Sequence, residues 1–185
     1  MIFETKIEID NGSRAFIEEQ FKGFKEFKAG QEPFPEVFFY DPHGKKITIK
    51  DFQGRFLLMN VWATWCPPCV KELPSLEDLA FHVTNENMPI AVIAVSIDRQ
   101  KTTNEIAEFL VQHDIGPFAL YHDKDKRLTR AYHFTGYPTT LLIDPDGNVV
   151  YEFQGDADWM NGFLLTFLND VTKPLKEKLE QKKSP

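Results

Sequence analysis

The chain has 185 residues, a formal net charge of -7 and a pI near 5.3, with 42% hydrophobic and 14% aromatic residues, including 17 phenylalanines. That composition excludes a disordered segment and suits one domain plus a terminal extension, with little room for two complete domains. The acidic balance, without a clustered basic surface, argues against a nucleic-acid partner.

From Ser13 to Lys28 the apolar residues Phe16, Ile17, Phe21, Phe24 and Phe27 recur at three- and four-residue spacing, which predicts an amphipathic helix capped by Ser13 and ended by Gly30, Pro33 and Pro35. Residues 1–32 read as an N-terminal helical extension packed on the domain. Val37–Tyr40, the turn Asp41-Pro42-His43-Gly44 and Lys46–Ile49 predict a β-hairpin. After Gly54, Phe56–Trp62 is an almost unbroken apolar run, the pattern of a parallel strand buried on both faces. Val70, Leu73, Leu76, Leu79 and Ala80 then mark one face of a helix that Pro74 is expected to kink.

A second buried strand is predicted at Ile90–Ile97, a helix around Ile106–Val111, a short strand at Phe118–Tyr121 and a helical segment at Leu128–Tyr132. Strands alternating with helices imply a parallel sheet with crossovers. Thr139–Asp144, Pro145-Asp146-Gly147 and Val149–Phe153 form a hairpin signal. A last amphipathic helix is predicted from about Asp158 to Lys178, broken by Pro174. Lys173, Lys176, Lys178, Lys182 and Lys183 read as a solvated helix end. No apolar run is long enough for a transmembrane helix, and Met1–Lys6 lacks the layout of a signal peptide, so a soluble chain is expected, any leader or anchor lying outside it.

Both cysteines lie in Val61-Trp62-Ala63-Thr64-Trp65-Cys66-Pro67-Pro68-Cys69, between the first buried strand and the helix after it. Two thiols separated by two residues suggest a reversible dithiol/disulfide pair, with a structural disulfide or half of a zinc site as rivals. Zinc would need two more ligands, and among His43, His82, His113, His122 and His133 no two have finger spacing. A structural disulfide across so small a loop would constrain the unfolded chain little. A cysteine at a helix N-terminus is favoured as thiolate by unpaired amides and the helix dipole. Cys66 is therefore the expected attacking sulfur and Cys69, one turn in, the resolving one. Pro67 suits the first turn, where no amide donor is required.

The segment Trp65-Cys66-Pro67-Pro68-Cys69 between strand and helix, with Gly136-Tyr137-Pro138 before the late hairpin, resembles the thioredoxin fold. The resemblance implies a cis peptide bond at Pro138, a position for Pro138 facing Cys66, and a Tyr137 backbone that offers hydrogen bonds to a partner. Asn60 to Pro74 is similar to the active-site segment of the TlpA/ResA-like thiol-disulfide oxidoreductases, as are the hairpin, the helix and strand before Pro138, and Gly155-Asp156-Ala157-Asp158-Trp159. It covers about residues 33–170. Asn60 stands where ordinary thioredoxins have a buried aspartate, and Glu72 matches an acidic residue of the ResA-like proteins, placed to accept the proton of Cys69. Trp65, with Pro67, Pro68 and Tyr137, is the expected partner surface. Trp62, Trp159 and Phe163 are expected to pack, and His133 to lie at the surface.

The expected architecture is thus a thioredoxin-like α/β fold, a central mixed sheet flanked by helices, with an N-terminal β-hairpin, a central helix-strand insertion and the helical extension. Its parts are residues 1–32, a thioredoxin-like domain at 33–172 and a Lys-rich tail at 173–185. The resemblance implies a monomeric, extracytoplasmic (periplasmic) bacterial reductant without cofactor or metal, exchanging disulfides with protein substrates and re-reduced by an upstream electron donor. It further implies a role in cytochrome c or cytochrome oxidase copper-centre maturation. Two other readings differ at the thiols. A peroxiredoxin-like peroxidase would need Pro-x-x-x-Thr-x-x-Cys, which the residues before Cys66 do not supply, and a Sco-type copper chaperone would need a Cys-x-x-x-Cys spacing and a downstream His where Gly136 stands nearby.

Overall fold

In the computed structural model, which describes residues 9–28 and 30–182, the apolar run Phe56–Trp62 is the strand β4, and all seven of its residues are buried. Met1–Lys6 and Lys183 lie outside the described residues. The remaining strands are β1 (Lys25–Glu26), β2 (Phe39–Tyr40), β3 (Lys46–Ile47), β5 (Ile90–Ser96), β6 (Tyr121–His122), β7 (Thr139–Ile143) and β8 (Val149–Gln154). They form one eight-stranded sheet in the order β1-β8-β7-β4-β5-β6-β2-β3. The helices are α1 (Asn11–Gln20), α2 (Pro67–Asn85), α3 (Thr103–Gln112), α4 (Arg127–Ala131) and α5 (Gly162–Gln181).

β5 runs parallel to β4 and to β6, whereas β7 runs antiparallel to β4 and to β8, so the sheet is mixed as expected. The two parallel pairs need crossovers, and α2 and α3 supply them. The predicted early hairpin is β2–β3, which joins the same sheet at its far edge where Tyr40 pairs with His122. The late hairpin turns at Asp144–Asn148, where the Asp144 carboxylate accepts the amides of Asp146 and Asn148 at 3.0 and 2.9 Å and Gly147 takes a φ of +92°.

The N-terminal extension departs from the predicted helix. Asp10 caps α1, accepting the Ser13 amide at 2.9 Å, while Ser13 itself is buried inside the helix. The helix stops at Gln20, and Phe21 turns extended. The following residues add β1 to the edge of the sheet, Lys25 opposite Glu152 and Glu26 opposite Tyr151. The phenylalanine spacing that imitates a helix instead serves packing on β8. The ring of Phe21 meets Phe153 at 5.1 Å, and that of Phe24 stacks on Tyr151 at 5.9 Å.

Neither internal proline breaks its helix. α2 continues through Pro74, which is exposed. α5 runs to Gln181 through Pro174, because the buried stripe Leu164, Phe167, Leu168, Val171 continues to Leu175 beyond it. The first part of the Lys-rich segment is therefore the end of α5. The strand expected at Phe118–Tyr121 is instead a short 3-10 turn, Pro117–Ala119, followed by β6, since Pro117 presets the turn that the Leu120 amide closes on its carbonyl at 3.0 Å.

Candidate functional site

β4 ends at Trp62, whose buried indole donates to the Ala119 carbonyl at 3.2 Å, so this tryptophan belongs to the core. Past it, Ala63-Thr64-Trp65 leads to Cys66, the N-cap of α2. The loop is clamped. The Thr64 amide and hydroxyl both donate to the Asp98 carboxylate, at 3.0 and 2.7 Å, and the Ser96 hydroxyl donates to the same group at 2.7 Å. His122 Nε2 lies 3.0 Å from the Asp98 carbonyl and Nδ1 lies 3.0 Å from the Thr103 hydroxyl. A carbonyl can only accept, so Nε2 carries a proton and donates to it.

Cys66 and Cys69 are joined in a disulfide, with a Cα–Cα distance of 5.2 Å. Cys66 keeps 5% of its surface exposed and Cys69 none. A helix N-terminus ordinarily offers several free amides, but Pro67 and Pro68 have no N–H, and the Cys66 amide is bonded to the Ala63 carbonyl at 3.1 Å. The Cys69 amide and the helix dipole are what remain to stabilise a Cys66 thiolate.

One turn further, Glu72 is 2% exposed. Its Oε1 accepts from Asn60 Nδ2 at 2.7 Å, and its Oε2 accepts from Trp159 Nε1 at 2.9 Å and from the Ala157 amide at 3.2 Å. Asn60 Nδ2 also donates to the Thr140 hydroxyl at 2.9 Å, while its Oδ1 has no partner among the described residues. Burial pushes the Glu72 carboxyl up to about 8 despite these three donors, and the nearby Asp156 carboxylate adds to the rise. Trp159 is fully buried, and beyond packing it contributes one of the hydrogen bonds to Glu72.

The pairing of Val61 with Thr139 brings Tyr137-Pro138 to the end of the sheet from which β4 leads to Cys66. The Tyr137–Pro138 peptide bond is cis. The Pro138 carbonyl accepts the Gly155 amide at 3.0 Å, whereas the Tyr137 amide and carbonyl have no hydrogen-bond partner among the described residues. A Cβ at Gly136 would lie 2.2 Å from Gln154 Nε2, so a larger residue there would displace the end of the Gln154 side chain. Trp65 is 61% exposed, with its ring edge-on to Tyr137 at 6.1 Å. Both rings border a groove of about 730 Å³ that also takes in Thr64, Arg99 and Lys101.

The structure thus collects Trp65, Cys66, Pro67, Pro68, Cys69, Tyr137 and Pro138 at one end of the sheet, with Glu72 one turn farther along α2. His133 is exposed. Phe163, expected to pack, is 47% exposed and stacks on Phe16 at 5.2 Å. Sequence reasoning missed Asp98, Ser96 and His122. Their signal was a pair of polar residues, Ser96 and Asp98, at the end of an apolar strand. Among the described residues no cluster of three His, Cys, Asp or Glu side chains is placed to hold a metal ion, and no helix is long and apolar enough to cross a membrane.

Residues 25–152 match the AhpC/TSA family. The thiol-disulfide oxidoreductase ResA of Bacillus thuringiensis is 34% identical over 122 residues, 66% of this chain and 68% of that protein. ResA of Bacillus subtilis is 30% identical over 147 residues, 76% of this chain and 79% of its own length. Among solved structures, StoA from Bacillus subtilis superposes with a TM-score of 0.56 at 20% identity, covering 76% of this chain and 98% of StoA. A secreted thiol-disulfide isomerase from Corynebacterium glutamicum gives 0.64 at 16% identity, covering 83% and 92%. These two likenesses speak for the fold. The chain belongs to the AhpC/TSA family of thioredoxin-like proteins and, within it, is a ResA-like thiol-disulfide oxidoreductase.

Proposed function

We propose that the chain is a protein disulfide reductase in which Cys66 attacks, Cys69 resolves, Glu72 takes up the proton of Cys69, and Trp65, Pro67, Pro68, Tyr137 and Pro138 form the surface that receives the partner. The observation that carries this reading is the asymmetry of the pair: Cys66 caps α2 and keeps a small exposed edge beside exposed Trp65, Pro67 and Pro68, and Cys69 is sealed one turn in, on the helix that carries the buried Glu72.

In the reduced protein the Cys66 thiolate attacks one sulfur of a substrate disulfide, expelling the other as thiolate and leaving a mixed disulfide. Cys69 then loses its proton to Glu72, in the fraction of molecules whose carboxyl is ionised, and attacks the Cys66 sulfur, releasing the second substrate thiol and closing Cys66–Cys69. Two electrons pass to the substrate, and an upstream dithiol must return them. A carboxyl held near 8 has a proton affinity close to that of a thiol, so this transfer is nearly balanced. The steps require no cofactor. The free Tyr137 amide and carbonyl are suited to an extended substrate segment.

The active-site resemblance supports an extracytoplasmic, monomeric protein that reduces apo-cytochrome c or the cysteines of copper-delivery proteins for cytochrome oxidase assembly. A redox titration against glutathione tests the direction. A midpoint near or below about -230 mV supports a reductant, and one near about -120 mV overturns it. Cys69→Ser is expected to accumulate a mixed disulfide with substrate and Cys66→Ser to trap none. Equal trapping by both contradicts the assigned roles, and rapid peroxide consumption by the reduced protein would favour peroxidase chemistry.

A further inference from the structure

The carboxyl of Glu72 is bonded by β4 and by the loop between β8 and α5, and that loop packs on the end of α1; the loop and α1 both lie outside residues 25–152, the stretch matched to the family. Two of its three donors, the Ala157 amide and the Trp159 indole, come from the loop between β8 and α5. That loop is held on one side by α2, where Lys71 Nζ pairs with Asp156 at 2.9 Å and the Ser75 hydroxyl accepts the Trp159 amide at 3.1 Å. On its other side is the end of α1. Gln20 Nε2 donates to the Asp156 carbonyl at 3.0 Å, and the buried ring of Phe21 lies 5.8 Å from that of Trp159. A cavity of about 410 Å³ opens at this junction, lined by Gln20, Lys71, Glu72, Ser75, Asp156 and Ala157. Gln20 and Phe21 precede residue 25, where the family match begins.

We propose that α1, through Gln20 and Phe21, is the outer wall of the Glu72 pocket: these positioning residues hold the Asp156–Trp159 loop against the carboxyl and restrict the water that can reach it. The inference rests on the reading of Glu72 as the proton acceptor of Cys69 and adds to it the route by which the proton meets solvent, the cavity edged by Gln20. An extension that is peripheral to the sheet thereby acts on the redox centre without touching either sulfur.

The charged and titratable groups around Glu72 are Cys69 and Lys71 on its own helix, Asp78 farther along it at the cavity, and Asp156 and Asp158 on the loop. None is altered by substitutions at Gln20 or Phe21, so a change in Glu72 titration in such variants reports the wall itself. Burial is the largest cause of the raised proton affinity of Glu72. Admitting water lowers it.

The test measures the midpoint potential of Cys66/Cys69 against pH in the full chain. The parent curve is expected to inflect near 8, where Glu72 titrates. In Gln20→Ala and Phe21→Leu the inflection moves down by about one pH unit, and in Glu72→Gln it is absent, with no further change when Gln20→Ala is added. Gln20 is exposed, so its substitution leaves the core intact even if Phe21→Leu folds poorly. Arg14→Ala, which breaks an ion pair with Glu26 elsewhere on α1, leaves the inflection in place. If Glu72→Gln removes the inflection but Gln20→Ala and Phe21→Leu retain the parent value, or if Arg14→Ala shifts it equally, the wall is overturned while the Glu72 reading stands. If Glu72→Gln keeps the parent curve, the Glu72 reading fails and the wall fails with it.

Discussion

A carboxyl sealed among an asparagine, an indole and a backbone amide holds its proton far longer than a glutamate in water, and at Glu72 this makes stability depend on pH. The folded state keeps the proton up to about pH 8, whereas an unfolded glutamate releases it near 4.5. The contribution to stability is thus fully present below 4.5 and is lost as pH rises through 8. Unfolding free energy is expected to fall across that window with a slope of up to about 1.4 kcal/mol per pH unit from this group. Urea unfolding of Glu72→Gln over the same range should lack that component. Pro68 governs a second residue-scale balance. Replacing it with Ala returns an amide to the first turn of α2, so the Cys66 thiol should ionise at lower pH and the midpoint potential rise on the order of 30 mV. Iodoacetamide alkylation against pH measures the first effect and glutathione titration the second.

The elements that carry the site are held by contacts between them. The loop from β4 to α2 is tied to the end of β5 by the Asp98 carboxylate, which receives three donors from Thr64 and Ser96. Asp98→Ala strands these donors, and a loss of about 2–4 kcal/mol is expected in chemical denaturation, together with slower thiol exchange because Trp65 and Cys66 lose their anchor. Spacing along the chain made β4, α2, β5 and the β7–β8 hairpin legible, since each buries a continuous stripe whose period shows in its own residues. It misled at Phe21, Phe24 and Phe27. Three phenylalanines at helical intervals also suit a turn and a short edge strand, and the partner rings on Phe153, Tyr151 and Trp159 decide between them.

At the scale of the whole molecule, the N-terminal segment completes the sheet, adding β1 as an edge and covering β8 with aromatic rings. Removing residues 1–27 uncovers the site of Ile17 and Phe21, each 1% exposed, at a cost of about 2 kcal/mol apiece. Thermal unfolding should show a clear loss of stability, and size-exclusion chromatography an increase in association through the bared β8 edge. The sequence by itself determined the dithiol at a strand-to-helix junction and the succession of elements from the β2–β3 hairpin to β8, because those depend on residues within a few positions of one another. Only the tertiary structure decided the setting of Glu72, which joins Asn60, Ala157 and Trp159 across separations of 12, 85 and 87 residues, and the clamp from Asp98 to Thr64, 34 residues away. Proton affinity follows from desolvation and from donors brought in by folding, and that information is spread along the chain, visible only once distant segments meet around one carboxyl.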